Sequence, residues 1–212
     1  LIGGGAGTTT ITNLQTALNA SDFVAGEIVD VTATATSTSI TTGADADFIR
    51  VADASALTAV SGGSGSDTLF ITDTLSSSAT LTSIETITIS ATKTFSTDAS
   101  ILDGKTITLN GTGATNITNV DSTPAVDLSN ITVSSGTAKA IVDSNMVFSG
   151  SLDAAKAISF EVNNGVTLTA TADKLNGVSV DDASGGSATT AVTALDATLA
   201  ADLSTITTNS VT

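Results

Sequence analysis

The residues best suited to chemistry in this chain form one glycine-rich stretch with a single carboxylate. Residues 62–70 read GGSGSDTLF, so Gly62, Gly63 and Gly65 precede Asp67 and a large apolar pair. Glycines permit a tight turn that aims backbone carbonyls at a cation, and the aspartate supplies a carboxylate oxygen. Calcium accepts roughly six to eight such oxygens in flexible geometry, so the stretch predicts a calcium site. The alternative interpretation is a glycine-rich turn without an ion.

A second acidic turn lies one repeat earlier in the sequence. Residues 43–49 read GADADFI and place Asp45 and Asp47 ahead of an apolar pair. Asp47 precedes Asp67 by 20 residues, close to the length of one coil of a solenoid, so the two turns are predicted to stack. The residues predicted to bind Ca²⁺ are Gly62, Gly63, Gly65, Asp67, Asp45 and Asp47.

Two neighbouring segments resemble known calcium-dependent repeats. GGSGSDTLF fits the pattern GGxGxDxUx, in which U is a large apolar residue, and residues 81–89 continue as LTSIETITI. Here the chain resembles RTX (repeats-in-toxin) proteins, bacterial surface-layer (S-layer) proteins and large RTX-type adhesins. The resemblance implies a calcium-stabilised β-solenoid, exported by a type I system through a C-terminal signal and assembled into a cell-surface lattice. No basic segment followed by an apolar one opens the chain, which fits such export.

A recurring leucine indicates the fold class. Seven leucines lie 21 to 28 residues apart, and each is followed by a small or polar turn and a short alternating β-branched run. Repeats of this length are typical of solenoids, whose units are too thin to bury an apolar face alone. We predict an all-β parallel β-helix (β-solenoid) of about 24-residue coils, with a β-sandwich as the alternative. The leucines are Leu57, Leu81, Leu102, Leu128, Leu152, Leu175 and Leu203.

The N-terminal segment carries a different pattern. Apolar residues over 11–23 recur at near-helical spacing, which predicts a short helix that caps the first coil. We therefore expect residues 1–26 to form a leader and cap, and residues 27–212 to form the solenoid repeat domain.

Composition argues against several classes of function. The chain has no His and no Cys, which removes the commonest general base, thiol chemistry and disulfides, and it has no Trp or Tyr on which a sugar could stack. We therefore expect no enzyme. The net charge of −15, from 21 acidic and six basic residues, disfavours nucleic acid and anionic membranes as partners. No apolar run is long enough to span a bilayer.

The function expected from these features is structural. The chain would be a secreted protein of the bacterial cell surface that self-assembles into a calcium-stabilised surface layer or filament. Its partners would be further copies of itself, with cell-surface polysaccharide as a further candidate. The alternative is a stalk or passenger module of an RTX-type adhesin that binds glycans or surfaces and serves cell adhesion. Thr-rich runs also suggest a minor third possibility, an ice- or mineral-binding face.

Overall fold

The chain folds as an all-β parallel β-solenoid of about eight turns, with coils of about 20 residues and almost no helix. This finding confirms the predicted parallel β-helix and excludes the β-sandwich. The computed structural model describes residues 7–22, 27–52, 56–120, 125–152, 157–183, 186–193, 201–208 and 210–211.

Short strands separated by tight turns make up each coil. The strands are β1 (Gly7–Leu14), β2 (Leu18–Asn19), β3 (Glu27–Ala33), β4 (Ser39–Thr41), β5 (Phe48–Val51), β6 (Ala59–Ser61), β7 (Thr68–Ile71), β8 (Leu75–Ser77), β9 (Thr80–Thr82), β10 (Thr86–Ile89), β11 (Thr94–Asp98), β12 (Ile107–Gly111), β13 (Ala114–Thr118), β14 (Ile131–Val133), β15 (Thr137–Val142), β16 (Met146–Phe148), β17 (Ile158–Val162), β18 (Thr167–Thr171), β19 (Val180–Asp182), β20 (Thr189–Thr193) and β21 (Ser210–Val211). Two single-turn helices, α1 (Ala99–Leu102) and α2 (Ala172–Leu175), interrupt them. Among the described residues, no helix has the length and apolarity to cross a membrane.

The chain divides into two compact units. The first comprises Leu1–Thr97, Ile107–Thr115 and Ser134–Gly136. Its strands stack in the orders β1-β3-β5-β7-β10-β12 and β2-β4-β6-β9, and β8 pairs with β11. All these pairings for which the residue register is known are parallel, as expected when each coil lays the same strand on the coil before it.

The second unit is built on the same plan. It comprises Asp98–Thr106, Asn116–Val133 and Thr137–Thr212. Within it β15, β17 and β19 form one parallel series, and β16, β18, β20 and β21 form another.

Alternation along each strand creates the core. Residues of β5, β7 and β10 alternate between half-buried and buried, because successive side chains point to opposite faces of the sheet. The strand register then stacks Ile49, Leu69, Ile87 and Leu109 in one column, in which each residue is at most 3% exposed. Aliphatic residues of this kind make up most of the buried core, while Thr or Ser occupies many of the outward positions.

Several of the recurring leucines belong to a stacked turn in the second unit. Gly104, which follows Leu102 and Asp103, donates its N–H to the Asp127 carbonyl at 2.8 Å, and Asp127 donates to the Asp103 carboxylate at 2.7 Å. The same arrangement recurs further along, where Gly177 donates to the Asp202 carbonyl and Asp202 donates to Asn176 Oδ1, both at 2.8 Å. The turns with the sequences LDG and LNG are therefore each hydrogen-bonded to the DLS turn of the next coil.

The predicted coil length was too long. Paired strands lie 18 to 22 residues apart, as in Thr68 with Thr86 and Thr86 with Thr108, and longer intervals occur at the isolated Asp127–Ser151 and Val180–Ile206 bridges. Because Leu81 lies opposite Val60, the first two leucines of the sequence pattern do not stack on each other.

The predicted N-terminal helix was wrong. Within 11–23 the chain instead completes β1 and forms β2, which pair in parallel with β3 and β4. The β-branched run from Thr8 to Ile11 suits a strand, the ladder to the next coil supplies its hydrogen bonds, and Asn13 adopts a positive φ of 58° that no α-helix contains. Phe23, the last apolar residue of the predicted helix, lies outside the described residues.

Candidate metal site

The glycine-rich turn lies directly on the acidic turn of the preceding coil. Ser64 donates its N–H to the Gly43 carbonyl at 3.0 Å, and the hydroxyl of Thr42 donates to the Gly62 carbonyl at 2.8 Å. The sequence prediction that these two turns stack is therefore confirmed.

Close backbone approach explains two of the glycines. Gly63 has φ +87°, and a β-carbon there would lie 1.9 Å from the carbonyl oxygen of Gly43. Gly65 has φ +140°, and its β-carbon would lie 2.4 Å from the carbonyl oxygen of Asp45. Only glycine fits either position, because any side chain would collide with backbone of the coil below. The glycine pattern thus has a structural cause that does not require an ion.

Gly62 serves the aspartate rather than the neighbouring turn. A β-carbon at Gly62 would lie 2.5 Å from both Cβ and Cγ of Asp67. The missing side chain therefore leaves room for the Asp67 carboxyl group, which folds back inside the turn and is fully buried. The GGxGxD spacing accordingly places one carboxylate in the interior of the solenoid wall.

The two oxygens of the Asp67 carboxylate differ in their surroundings. Oδ1 accepts a hydrogen bond from the backbone N–H of Asp47 at 2.8 Å. Oδ2 is buried and has no hydrogen-bond partner. A buried carboxylate oxygen without a donor destabilises the folded state, because it has lost its hydrogen bonds to water and has formed none with the protein.

Three carboxylates follow one another along the coils. Asp47 Oδ2 accepts from Gly43 N at 3.1 Å, Asp67 Oδ1 accepts from Asp47 N, and Glu85 Oε2 accepts from Asp67 N at 2.8 Å. We call Asp47, Asp67 and Glu85 the carboxylate column. Each member bonds a backbone N–H, in two cases that of the residue one coil earlier, so the column joins three successive coils.

Burial and like charge act together on the middle member. Loss of solvent raises the pKa of Asp67 from 3.8 to about 6, the hydrogen bond from Asp47 N–H opposes that rise, and the negative charges of Asp47 and Glu85 add to it. A proton or a cation at Asp67 would relieve the same strain. The group is therefore suited to binding positive charge near neutral pH.

The predicted ligands are only partly brought together. Asp67 and Asp47 lie in the column. Asp45 is half-buried and outside the column, and its backbone carbonyl packs closely against Gly65. Within the described part of the chain, no three His, Cys, Asp or Glu side chains are placed to hold one metal ion. Calcium at the Asp67 carboxylate therefore stays a prediction.

Glu85 was missed by the sequence reasoning. It lies 18 residues after Asp67, within the LTSIETITI segment. The available signal was the spacing itself, because 20 residues separate Asp47 from Asp67 and a similar interval of 18 residues separates Asp67 from Glu85.

Comparison with known proteins adds no relative to this picture. Neither a family model nor a curated protein nor a solved structure matches the chain. What is established is therefore the β-solenoid fold.

Proposed function

We propose that the chain is an extracellular structural protein of the bacterial cell surface, and that it self-assembles into a calcium-stabilised surface layer or filament. The observation that carries the proposal is the buried, unpartnered Oδ2 of Asp67 within the carboxylate column. The resemblance of residues 62–89 to RTX and S-layer repeats points to the same ion and the same role.

Calcium would act here as a staple between coils. The carboxylate of Asp67 and the carbonyls of the two stacked turns are hard oxygen donors, which calcium prefers. A bound ion supplies the positive charge that the column lacks. Because the column links three coils, an ion there stabilises their stacking, and it does so in a chain that has no disulfide to serve this purpose.

Charge and fold favour a structural role. The chain carries a net charge of −15, so copies of it repel one another until divalent cations or neutral surfaces reduce the repulsion. A solenoid presents the same strand positions coil after coil, which suits repeated contacts between identical molecules.

Electron microscopy with matched variants tests the proposal. Wild type, Asp67→Asn and Asp143→Asn would each be dialysed against calcium and against a chelator, then imaged by negative stain. Asp143 is an exposed acid outside the column, so its variant loses the same charge without touching the site. Ordered sheets or fibres are expected only in calcium, from wild type and Asp143→Asn but not from Asp67→Asn.

The other outcomes separate the parts of the proposal. Assembly in calcium and chelator alike would retain the structural role and remove the ion. Dispersed particles under both conditions would reject self-assembly and favour the adhesin module, which glycan-array binding would then examine.

A further inference from the structure

Two phenylalanines lie on the outer surface of the first unit. Of the five phenylalanines whose side chains the structure describes, Phe95, Phe148 and Phe160 are at most 3% exposed in the core. Phe48 and Phe70 instead occupy outward, half-buried positions on the neighbouring strands β5 and β7, where their ring centroids lie 5.6 Å apart at an interplanar angle of 47°. The outer wall of the solenoid therefore carries a small apolar surface made of two rings.

A pair of opposite charges completes this surface. Asp30 of β3 lies opposite Phe48 in the strand register and forms an ion pair with Arg50, whose guanidinium carbon lies 4.6 Å from the centroid of the Phe48 ring. The side chains of Asp30 and Arg50 remain 23% and 37% exposed. We call Asp30, Phe48, Arg50 and Phe70 the aromatic cluster. Because ion-pair, cation–π and ring contacts hold it in one arrangement, little side-chain entropy remains to be lost when a ligand binds.

The two charges of the aromatic cluster cancel, which selects the charge of a ligand. Among the side chains that the structure describes on β3, β5, β7 and β10, Asp30 and Arg50 are the only charged ones. Asp47 and Asp67, which precede β5 and β7, are buried and do not reach this surface. The net charge of −15 repels a polyanion, which would also find the guanidinium already neutralised. A polycation would gain more from acids elsewhere in the chain, so the cluster suits an uncharged ligand.

Threonine hydroxyls surround the rings. The strand register places Thr68 and Thr88 opposite the two rings and Thr32 opposite the guanidinium, and all three threonines are half-buried. Hydroxyl, guanidinium and carboxylate groups thus offer hydrogen-bond donors and acceptors around an apolar centre, on strands about 4.8 Å apart. A sugar ring matches both features, because its C–H groups can contact the electron-rich face of an aromatic ring while its hydroxyls bond the polar groups.

We infer that the aromatic cluster and its three threonines bind a neutral polysaccharide, a partner that goes beyond the proposed calcium-dependent assembly and does not depend on it. The phenylalanines supply the ring surface that Trp or Tyr would otherwise provide in a chain that has neither. The guanidinium donates to sugar hydroxyls and the carboxylate accepts from them, and hydrogen bonds to ionised groups are stronger than those between neutral groups. A polymer repeats the same sugar many times, so a weak contact at each copy of the protein adds up along it.

Binding to an immobilised oligosaccharide panel tests the inference. Its neutral members are glucose, galactose, mannose and N-acetylglucosamine oligomers, and its acidic members are uronate and sulfated oligomers. Phe70→Thr removes one ring and keeps a β-branched residue in the strand. Val147→Thr is the matched control, because it makes the same replacement at an apolar side chain that is 71% exposed in the second unit. Arg50→Lys keeps the charge and loses the planar fork of donors.

We expect wild type to bind at least one neutral class, and to bind the acidic members at least tenfold more weakly. Phe70→Thr should weaken neutral binding at least tenfold, Arg50→Lys at least threefold and Val147→Thr less than twofold, with circular dichroism to check folding. A wild type that binds no neutral member, or a folded Phe70→Thr that binds as wild type does, would overturn the inference and leave the proposed self-assembly intact.

Sedimentation velocity of the same proteins separates this inference from the proposed function. Loss of self-association in Phe70→Thr, together with no glycan binding by wild type, would assign the cluster to contacts between copies and overturn the inference. Glycan binding by a chain that stays monomeric at every concentration would support the inference and reject the proposed function.

Discussion

Two sets of stacked turns in this solenoid use the same bond and place it in opposite environments. In both, an aspartate or asparagine side-chain oxygen accepts a backbone N–H from an adjacent coil: Asp67 from Asp47, Asp103 from Asp127, and Asn176 from Asp202. Asp67 is fully buried, whereas Asp103 and Asn176 are exposed. The bond alone therefore does not distinguish a candidate site from an ordinary solenoid corner.

The electrostatics of the two regions run in opposite directions. Burial raises the pKa of Asp67 to about 6. At the half-buried Asp127 and the exposed Asp202, hydrogen bonds from the Ser129 and Ser204 hydroxyls and amides hold the pKa of each carboxyl below the usual range. Solvent exposure thus decides whether a carboxylate in this architecture stabilises a corner or requires a counter-ion.

The largest expected effect comes from the glycines of the two regions. Gly63→Ala should destabilise the protein by roughly 3 kcal/mol or more, because left-handed strain adds to a clash with the Gly43 carbonyl. Gly104→Ala should cost only about 1–2 kcal/mol, since Gly104 has φ +64° with open space around it. Urea unfolding of the two variants measures the difference in stability. Equal losses would contradict the prediction, because they would show that the turn at Gly63 can move away from the Gly43 carbonyl at little cost.

The next effect concerns the pH dependence of the buried carboxylate. Because the folded pKa of Asp67 lies above its unfolded value, the protonated group favours folding at low pH, and that contribution is lost as the pH rises through about 6. In chelator, the free energy of unfolding of wild type should therefore fall by about 2 kcal/mol between pH 4 and pH 7, and that of Asp67→Asn should not show this fall.

Calcium provides the control for that measurement. At pH 7 it should raise the stability of wild type and leave Asp67→Asn unchanged, since an ion replaces the missing proton. Parallel pH profiles for the two proteins in chelator would show that Asp67 is ionised without cost, and the reason to expect an ion there would disappear.

The sequence predicted features that depend on neighbouring residues in the chain better than features that depend on contacts between coils. Alternating β-branched runs such as TITI in β10 predicted strands, because strand formation depends on local pattern, and the recurring leucines predicted the parallel solenoid. Coil length was overestimated because it depends on which residue stacks on which, and Leu81 meets Val60 rather than Leu57. The N-terminal strands were misassigned because a neighbouring coil supplied hydrogen bonds that the local spacing does not reveal.

The candidate site shows the same limit. The motif located Asp67 and its stacked partner Asp47, since the glycine spacing is a property of one turn. Glu85 joins the column only through a hydrogen bond to the Asp67 amide across coils, and no local pattern marks it. The orphaned state of Asp67 Oδ2 likewise depends on three-dimensional packing.

A smaller effect is expected at the half-buried corner residue Asp127. Asp127→Ala removes the acceptor for the N–H and hydroxyl of Ser129, which lie 3.0 and 2.7 Å from Asp127 Oδ1, so stability at pH 7 should fall by about 1 kcal/mol. Since the pKa of Asp127 is lowered, this contribution should vanish as the pH falls through that pKa, the reverse of the trend at Asp67. Chemical denaturation at pH 7 and pH 3 tests the sign, and a loss that grows in acid would contradict it.

The smallest effect should come from exchanging the two exposed corners. Asn176→Asp gives the LNG turn the LDG sequence of residues 102–104, where Asp103 already accepts the amide of the next coil at 2.7 Å. The oxygen that receives the Asp202 N–H is preserved and the position is exposed, so stability should change by less than about 0.5 kcal/mol. Thermal unfolding beside the reciprocal Asp103→Asn variant measures this. A large loss of stability in either variant would mean that the two corners are not interchangeable despite their shared hydrogen bonds. Solvent exposure would then no longer explain why the Asp67 turn resembles a site and these two corners do not.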